Sequence, residues 1–199
     1  MAIGIWAARM ERPLTERESD AMLRLLPESR RVRFDRLQKP EKRDEVLCAY
    51  TMLYLALRER CGWRRIPEMK VSSAGKPEFP EFPEVHFNIS HTGGAVLVGV
   101  AESPVGVDIE RIRPVSHRAM LRIAGVESER AFFESWVRRE ARAKCTGTGV
   151  GTMMLKDTPL RAGEKFCFLE TFDGYAAGAA TRSGEALEQV RRYFLDELL

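Results

Sequence analysis

Apolar positions recur with two different periods along this chain, and each change of period marks the boundary of an element. Ala2 to Ala8 is a short apolar run that predicts a buried strand. Thr15 followed three residues later by Glu18 has capping-box spacing and predicts the start of a helix. Pro40, at a first-turn position, opens a longer helix with Val46, Tyr50, Leu53 and Leu57 along one face and Gly62 at its end. Strands are predicted next at Glu68 to Ser72, Val85 to Ser90 and Ala95 to Ala101. They are separated by the proline-rich stretch Gly75 to Pro83 and the turn Thr92-Gly93-Gly94.

The same order then recurs. Pro104 to Glu110 predicts a strand, and Ser116 to Ala124 and Ser128 to Lys144 predict helices divided by Gly125 and stopped by Gly147. Strands follow at Met153 to Leu155, Lys165 to Thr171 and Tyr175 to Thr181, the last two joined by the hairpin signal Asp173-Gly174. Leu187, Val190, Phe194 and Leu198 are spaced for one face of a final amphipathic helix. A long helix followed by antiparallel strands, twice over, predicts an α+β fold of two halves meeting near Ser103, although no repeat is visible in the residues themselves.

Composition narrows the class. The chain has 199 residues, 44% of them hydrophobic and 31% charged, which describes a globular protein. Its apolar runs fall far short of the ~20 residues a membrane-spanning helix needs, and Met1 to Trp6 lacks a basic leader region. Cys48, Cys61, Cys145 and Cys167 are scattered, which argues against a paired-cysteine metal site and for a reducing cytoplasm. The net charge of +3 is mild, but its distribution is not. Arg24, Arg30, Arg31, Arg33, Arg36, Lys39, Lys42 and Arg43 crowd one segment, opposed there only by Glu28, Asp35 and Glu41, so that segment is suited to an anion.

Alternation along Pro104 to Glu110 turns Asp108 and Glu110 to one face and Val107 and Ile109 to the other. On the following helix Phe133, Trp136, Glu140 and Lys144 share a stripe. A solvated strand edge and an ordinary helical ion pair would account for each pattern separately. If Asp108, Glu110 and Glu140 converge, each like-charged pair costs about 4 kcal/mol at 4 Å and an effective dielectric of ~20, and the cluster calls for a cation. Oxygen ligands alone select a hard ion such as Mg²⁺, which keeps waters and completes its shell with substrate phosphate.

The strand end at Ser90-His91 and its small-residue turn form a tip suited to phosphate. As a hydrolytic pair Ser90 and His91 are poorly arranged, since neighbours on a strand face opposite ways. The glycines at 147, 149 and 151 follow a helix instead of a strand and read as a helix stop, and there is no phosphate-binding loop of the Walker type.

Together, Gly75-Lys76-Pro77, Phe87 to His91, Pro104 to Glu110, and Trp136 to Lys144 with Gly147 and Gly149 resemble the 4′-phosphopantetheinyl transferases of the surfactin-synthetase-activating type. The resemblance runs from the first strand, through Arg12-Pro13-Leu14 and the basic segment, to about Thr181. It implies a pseudodimer of two similar α/β halves, residues 1–103 and 104–199, each a long helix packed on a small antiparallel sheet. It also implies transfer of the phosphopantetheine arm of coenzyme A to a serine of an apo acyl or peptidyl carrier protein, with release of adenosine 3′,5′-bisphosphate. By the same resemblance Asp108, Glu110 and Glu140 hold Mg²⁺, for which Mn²⁺ can substitute. Glu140 draws the serine proton, and Lys144 neutralises charge on the pyrophosphate. His91, Arg43 and some of Arg30, Arg31, Arg33 and Arg36 grip the 3′-phosphate, Lys76 flanks the adenine, and Ser90 belongs to the coenzyme site. A monomer acting on coenzyme A and a carrier protein, with neither nucleic acid nor membrane as partner, is the expectation.

Two departures from the family pattern stand out. Arg139 occupies a position usually held by lysine, and the connection from Ile112 to Trp136, which would contribute to the carrier surface, is short. The alternative reading is a non-catalytic module that binds coenzyme A or RNA through its basic segment. Three carboxylates directed at one cleft would be superfluous there.

Overall fold

The computed structural model describes residues 2–72, 75–147, 159–182 and 184–198. Its first strand, β1 (Gly4–Arg9), is apolar on both faces because it has a core on each side. Trp6 and Ala8 enter one cluster of buried side chains and Ile5 and Ala7 another. Three helices follow, α1 (Glu16–Leu23), α2 (Glu28–Asp35) and α3 (Pro40–Cys61). A short ribbon of β2 (Lys70–Val71) and β3 (Pro77–Glu78) precedes the hairpin β4 (His86–Thr92) and β5 (Ala95–Ala101). Then come β6 (Val105–Arg111), α4 (His117–Ala124), α5 (Glu129–Thr146), β7 (Lys165–Phe168), β8 (Tyr175–Thr181) and β9 (Arg191–Phe194).

The strands form a four-stranded sheet in the order β4-β5-β1-β9 and a three-stranded sheet in the order β6-β8-β7, besides the ribbon. Ile5, Leu97, Val107, Ile109 and Ala179 fill the space between these two sheets. Met52, Leu53 and Leu57 of α3 cover the outer face of the first sheet through Trp6, Val96 and Val98. Val137 and Ala141 of α5 cover the outer face of the second through Ala176 and Ala180. The layers therefore run helix, sheet, sheet, helix, a mixed α+β arrangement.

The edge strands β4 and β6 meet along the junction of the two sheets, where the Val107 amide donates to Asn88 Oδ1 at 2.8 Å. Gly106 lets β6 approach α5 closely, because a Cβ there would lie 2.0 Å from the Ala141 carbonyl oxygen. At the end of α5, Gly147 takes φ 70° and its amide bonds to the Ala143 carbonyl, the helix stop that its sequence predicts.

Helix α2 lies within the segment singled out only for its charge. Its N-cap, Pro27, offers no side-chain acceptor. Glu68, from the approach to β2, instead accepts the Glu28 and Ser29 amides at 3.0 and 3.1 Å. The strand expected over Glu68 to Ser72 shrinks to Lys70–Val71.

The final amphipathic helix is corrected by the structure. Arg191–Phe194 is a strand lying parallel to β1, and only Leu195–Glu197 winds into a single 3₁₀ turn. Leu187 and Val190 pack between the sheets while Tyr193, Leu195 and Leu198 pack under α3, so the apolar residues face two cores instead of one stripe. An open edge of β1, with its unpaired backbone groups, makes the extended form worth more than a short helix. The strand expected at Met153 to Leu155 and Gly149 lie outside the described residues. No helix among the described residues is long and apolar enough to cross a membrane.

Candidate active site

Strand alternation in β4 divides its side chains between two regions. Phe87, Ile89 and His91 turn toward α3, whereas Ser90 and Thr92 turn toward β6. Where His91 points, Arg30, Arg33, Lys42, Tyr50, Phe34 and Ile89 line a cavity of 320 Å³ with an apolar floor and a basic rim. Arg30 is 7% exposed, and its Nε and Nη2 have no hydrogen-bond partner among the described residues. Buried guanidinium donors are costly unless satisfied, so a cavity holding them is prepared for an anion. A second cavity of 280 Å³, floored by Phe34 and rimmed by Arg43 and Asp44, lies on the other flank of α3.

The basic cavity extends along β4. Arg33, Pro77, Asn88 and Ile89 also line an adjoining space of 390 Å³ whose far wall is Lys76, Ala143, Lys144 and Gly147. Lys76 Nζ donates to the Val105 carbonyl at 2.9 Å, and burial lowers its pKa from the usual lysine range. A groove thus leads from the α2 cations to the end of α5.

Where Ser90 points, Lys144 Nζ donates to Asp108 Oδ1 at 2.6 Å and to Ser90 Oγ at 3.0 Å, and Ser90 Oγ donates to the same Asp108 oxygen at 2.8 Å. Asp108 is 3% exposed and its Oδ2 has no partner among the described residues. Its pKa is raised because burial outweighs the help of Lys144. Glu110 accepts from Thr92 at 3.4 Å and from Arg113 at 3.2 Å; burial, then the charge of Asp108, raises its pKa. Glu140 is raised by the same two causes in the same order, and by Glu110 after them. Asp108 therefore repels both glutamates, and Lys144 offsets the raised values of Asp108 and Glu140 only in part. They do not close into a metal-holding group: among the described residues no three His, Cys, Asp or Glu side chains do.

The expected residues are consequently spread over distinct places. Arg30, Arg33, His91 and Lys76 line the groove. Ser90 lies within β4 instead of at a turn tip, on the lysine and aspartate side, because the strand continues to Thr92 before the turn. Arg31 reaches back to the Leu26 carbonyl and pairs with Glu28, and Arg36 is exposed at the C-cap of α2. Arg43 stacks 4.2 Å from the Phe34 ring centroid and lines the cavity on the other flank, so it is Lys42 that reaches the groove. Arg139 donates to the Ile123 carbonyl at 3.0 Å, fastening α5 to α4.

Glu45 was invisible to sequence reasoning. It is buried on α3 and accepts from Lys42 Nζ at 2.7 Å, from His91 Nδ1 at 3.1 Å and from the Gly94 amide at 3.4 Å. Burial alone would raise its pKa, but hydrogen bonds from His91 and Lys42 prevail and hold it at about 2. The available signal was an acid among apolar positions of a core helix. The Arg142–Glu164 pair, at 2.6 Å and fully buried, was also missed; it ties α5 to the turn before β7.

No family model matches the chain. Among curated proteins, it is 26% identical over 193 residues to a 4′-phosphopantetheinyl transferase of Bacillus subtilis, covering 85% of this chain and 86% of that protein. It is 24% identical to the 4′-phosphopantetheinyl transferase Sfp of Bacillus subtilis strain 168, over 73% of this chain and 71% of the relative. It is 33% identical over 110 residues to the 4′-phosphopantetheinyl transferase AcpT of Salmonella typhi, over 48% of this chain and 57% of the relative. The resemblance to the surfactin-synthetase-activating type covers most of the chain, and the enzyme class is that of these relatives.

Proposed function

We propose that this chain, a 4′-phosphopantetheinyl transferase by its relatives, moves the phosphopantetheine arm of coenzyme A onto a serine of an apo acyl or peptidyl carrier protein and releases adenosine 3′,5′-bisphosphate. The observation that carries the reading is the groove running from the buried Arg30 guanidinium, whose Nε and Nη2 have no partner among the described residues, to Lys144. It offers a cationic end for a nucleotide phosphate, an apolar wall for a base and an ammonium group where the pyrophosphate linkage would break as the serine ester forms. Arg30, Arg33, Lys42 and His91 bind the 3′-phosphate, and Lys76 flanks the nucleotide. Lys144 Nζ meets the charge that develops on the departing phosphate. Glu140, kept basic by burial and by its acidic neighbours, takes the proton from the carrier serine Oγ.

Although Asp108, Glu110 and Glu140 do not close into a metal-holding group as they stand, the unpartnered Asp108 Oδ2 and the repulsion of both glutamates by Asp108 support their drawing together on a divalent cation. When bound, Mg²⁺, or Mn²⁺ in its stead, supplies neutralisation of the pyrophosphate.

In this reading residues 1–103 carry the nucleotide phosphate site and residues 104–199 the carboxylates and catalytic helix, as two related halves. The helix, sheet, sheet, helix order supports that division, and β9 crosses back to the first sheet. A groove complete within one chain supports a monomer, and four free thiols support a reducing cytoplasm. Incubation with coenzyme A, Mg²⁺ and a panel of apo carriers, read by intact mass, tests the reading. A phosphopantetheine adduct on the carrier serine is expected; tight coenzyme A binding without an adduct on any carrier would leave the binding-module reading in its place.

A further inference from the structure

We propose that Glu45 is the positioning residue of the 3′-phosphate subsite, holding Lys42 and His91 on the cavity wall so that the protein selects nucleotides bearing a 3′-phosphate. The inference rests on the coenzyme A reading above. Lys42 and His91 line the basic cavity, and Glu45 stands behind them at 4% exposure. Lys42 Nζ and His91 Nδ1 converge on the same oxygen, Oε2, at 2.7 and 3.1 Å, and Oε1 takes the Gly94 amide at 3.4 Å. The lysine, half-exposed by its side chain, is thereby kept from swinging into solvent.

With Nδ1 donating to Glu45, the other ring nitrogen, Nε2, donates to a phosphate oxygen when it too carries a proton. Arg30 and Arg33 of α2 and Lys42 and Tyr50 of α3 are the other titratable or charged groups lining this cavity. Arg30 and Arg33 supply charge independently of Glu45, so Glu45 sets the geometry of the second pair of contacts and not the whole attraction.

A buried carboxylate near a phosphate has two opposed effects. Its field repels the ligand, and its hydrogen bonds arrange the cations that attract it. Lys42 at 2.7 Å cancels most of the field, which leaves the arrangement as the dominant effect. Glu45→Gln separates the two. The amide keeps the volume but offers one oxygen to three donors and turns its own NH₂ toward them. Positioning predicts that selectivity falls on this change, whereas repulsion predicts that it rises.

The test is the ratio of dissociation constants for adenosine 5′-phosphate and adenosine 3′,5′-bisphosphate, measured by calorimetry on the full chain. Glu45→Gln should reduce the ratio about 10-fold, roughly one charge-assisted hydrogen bond, while binding of adenosine 5′-phosphate changes less than about two-fold. In a His91→Ala background the same change should cost clearly less. An unchanged or increased ratio, or an equal cost in both backgrounds, overturns the proposal.

Nitrogen-15 spectra of the unmutated protein test it without a variant. His91 Nδ1 should carry a proton in the free protein, and with adenosine 3′,5′-bisphosphate, but not with adenosine 5′-phosphate, Nε2 should carry one as well and its resonance should shift. A proton on Nε2 alone, or equal shifts with both nucleotides, overturns it. Failure of both nucleotides to bind the unmutated protein would sink the coenzyme A reading and this inference with it, a result distinct from binding without selectivity.

Discussion

The two ends of the groove treat buried carboxylates in opposite ways. Glu45, at the α3 end, is held ionised at about 2 by Lys42 and His91. At the α5 end burial pushes Asp108 upward, although Lys144 lies at 2.6 Å, and burial followed by the charge of Asp108 pushes Glu110 and Glu140 upward. The contrast lies in the ratio of partners to acids. One carboxylate takes hydrogen bonds from Lys42, His91 and the Gly94 amide in the first case; three carboxylates draw on Lys144 and Arg113 in the second. The first end is electrostatically complete and acts as a scaffold, whereas the second has acid in excess and a buried oxygen without a partner, which suits it to proton transfer and to a cation.

The sharpest break in this comparison should come from Glu140→Gln. Loss of a general base should lower kcat by ~10² to 10⁴-fold with coenzyme A affinity changed much less. Asp108→Asn should recover part of its lost rate as Mg²⁺ is raised. Equal rescue of both variants in a Mg²⁺ titration would reduce Glu140 to a ligand and assign the proton elsewhere.

Arg30→Ala should weaken coenzyme A binding roughly 10- to 100-fold, the loss of charge-assisted contacts from a buried guanidinium. Arg31→Ala, whose side chain is spent on Glu28 and the Leu26 carbonyl, should change it less than about two-fold. Calorimetry of both variants checks the assignment, and comparable losses would mean that α2 presents a diffuse charge instead of one anchor.

Gly106→Ala addresses the α5 end without touching a charge. The added Cβ meets the Ala141 carbonyl oxygen at 2.0 Å and the Cys145 amide at 2.3 Å, so α5 must move away from β6. Overpacking of this kind costs about 1–3 kcal/mol, roughly 2–12 °C in Tm for a chain of this size. Turnover should fall with it while adenosine 3′,5′-bisphosphate binding at the α2 end stays near normal. A parallel loss of both would show the two ends to be rigidly coupled.

The smallest effect is also the most direct comparison, the pH dependence of Tm in excess chelator. Glu45 has a folded-state pKa of about 2 against an ordinary 4.5, so its contribution is complete above the ordinary value and is lost as pH falls toward the folded one. Glu140 is raised, so the folded state binds its proton more tightly than the unfolded chain does, and stability is lost as pH rises above the ordinary carboxylate range. Glu45→Gln should therefore be less stable than the unmutated protein at pH 7, with the deficit shrinking below about pH 4.5. Glu140→Gln should be more stable at pH 7, with the advantage shrinking on acidification. Curves of the same sign would contradict the contrast.

Periodicity and caps were enough to locate α1, α3, α5 and the paired strands β4 and β5, because those signals are local: Thr15 with Glu18, Pro40 at the first turn, Gly62 and Gly147 at the ends. Alternation alone turned Asp108 away from Val107, and helical spacing put Glu140 and Lys144 on one stripe. Three features depended on residues distant in the chain. Helix α2 has its cap supplied by Glu68, forty residues on, so nothing beside Pro27 announces it. The last segment is a strand because β1 offers it an open edge, which the spacing of Leu187, Val190 and Phe194 does not encode. The choice of Lys42 over Arg43 for the groove was fixed when Arg43 stacked on Phe34 and Glu45 met His91 across 46 residues. Local order follows from backbone preferences and caps, whereas the choice among neighbouring cations follows from which carboxylate or ring arrives opposite them once the layers have packed.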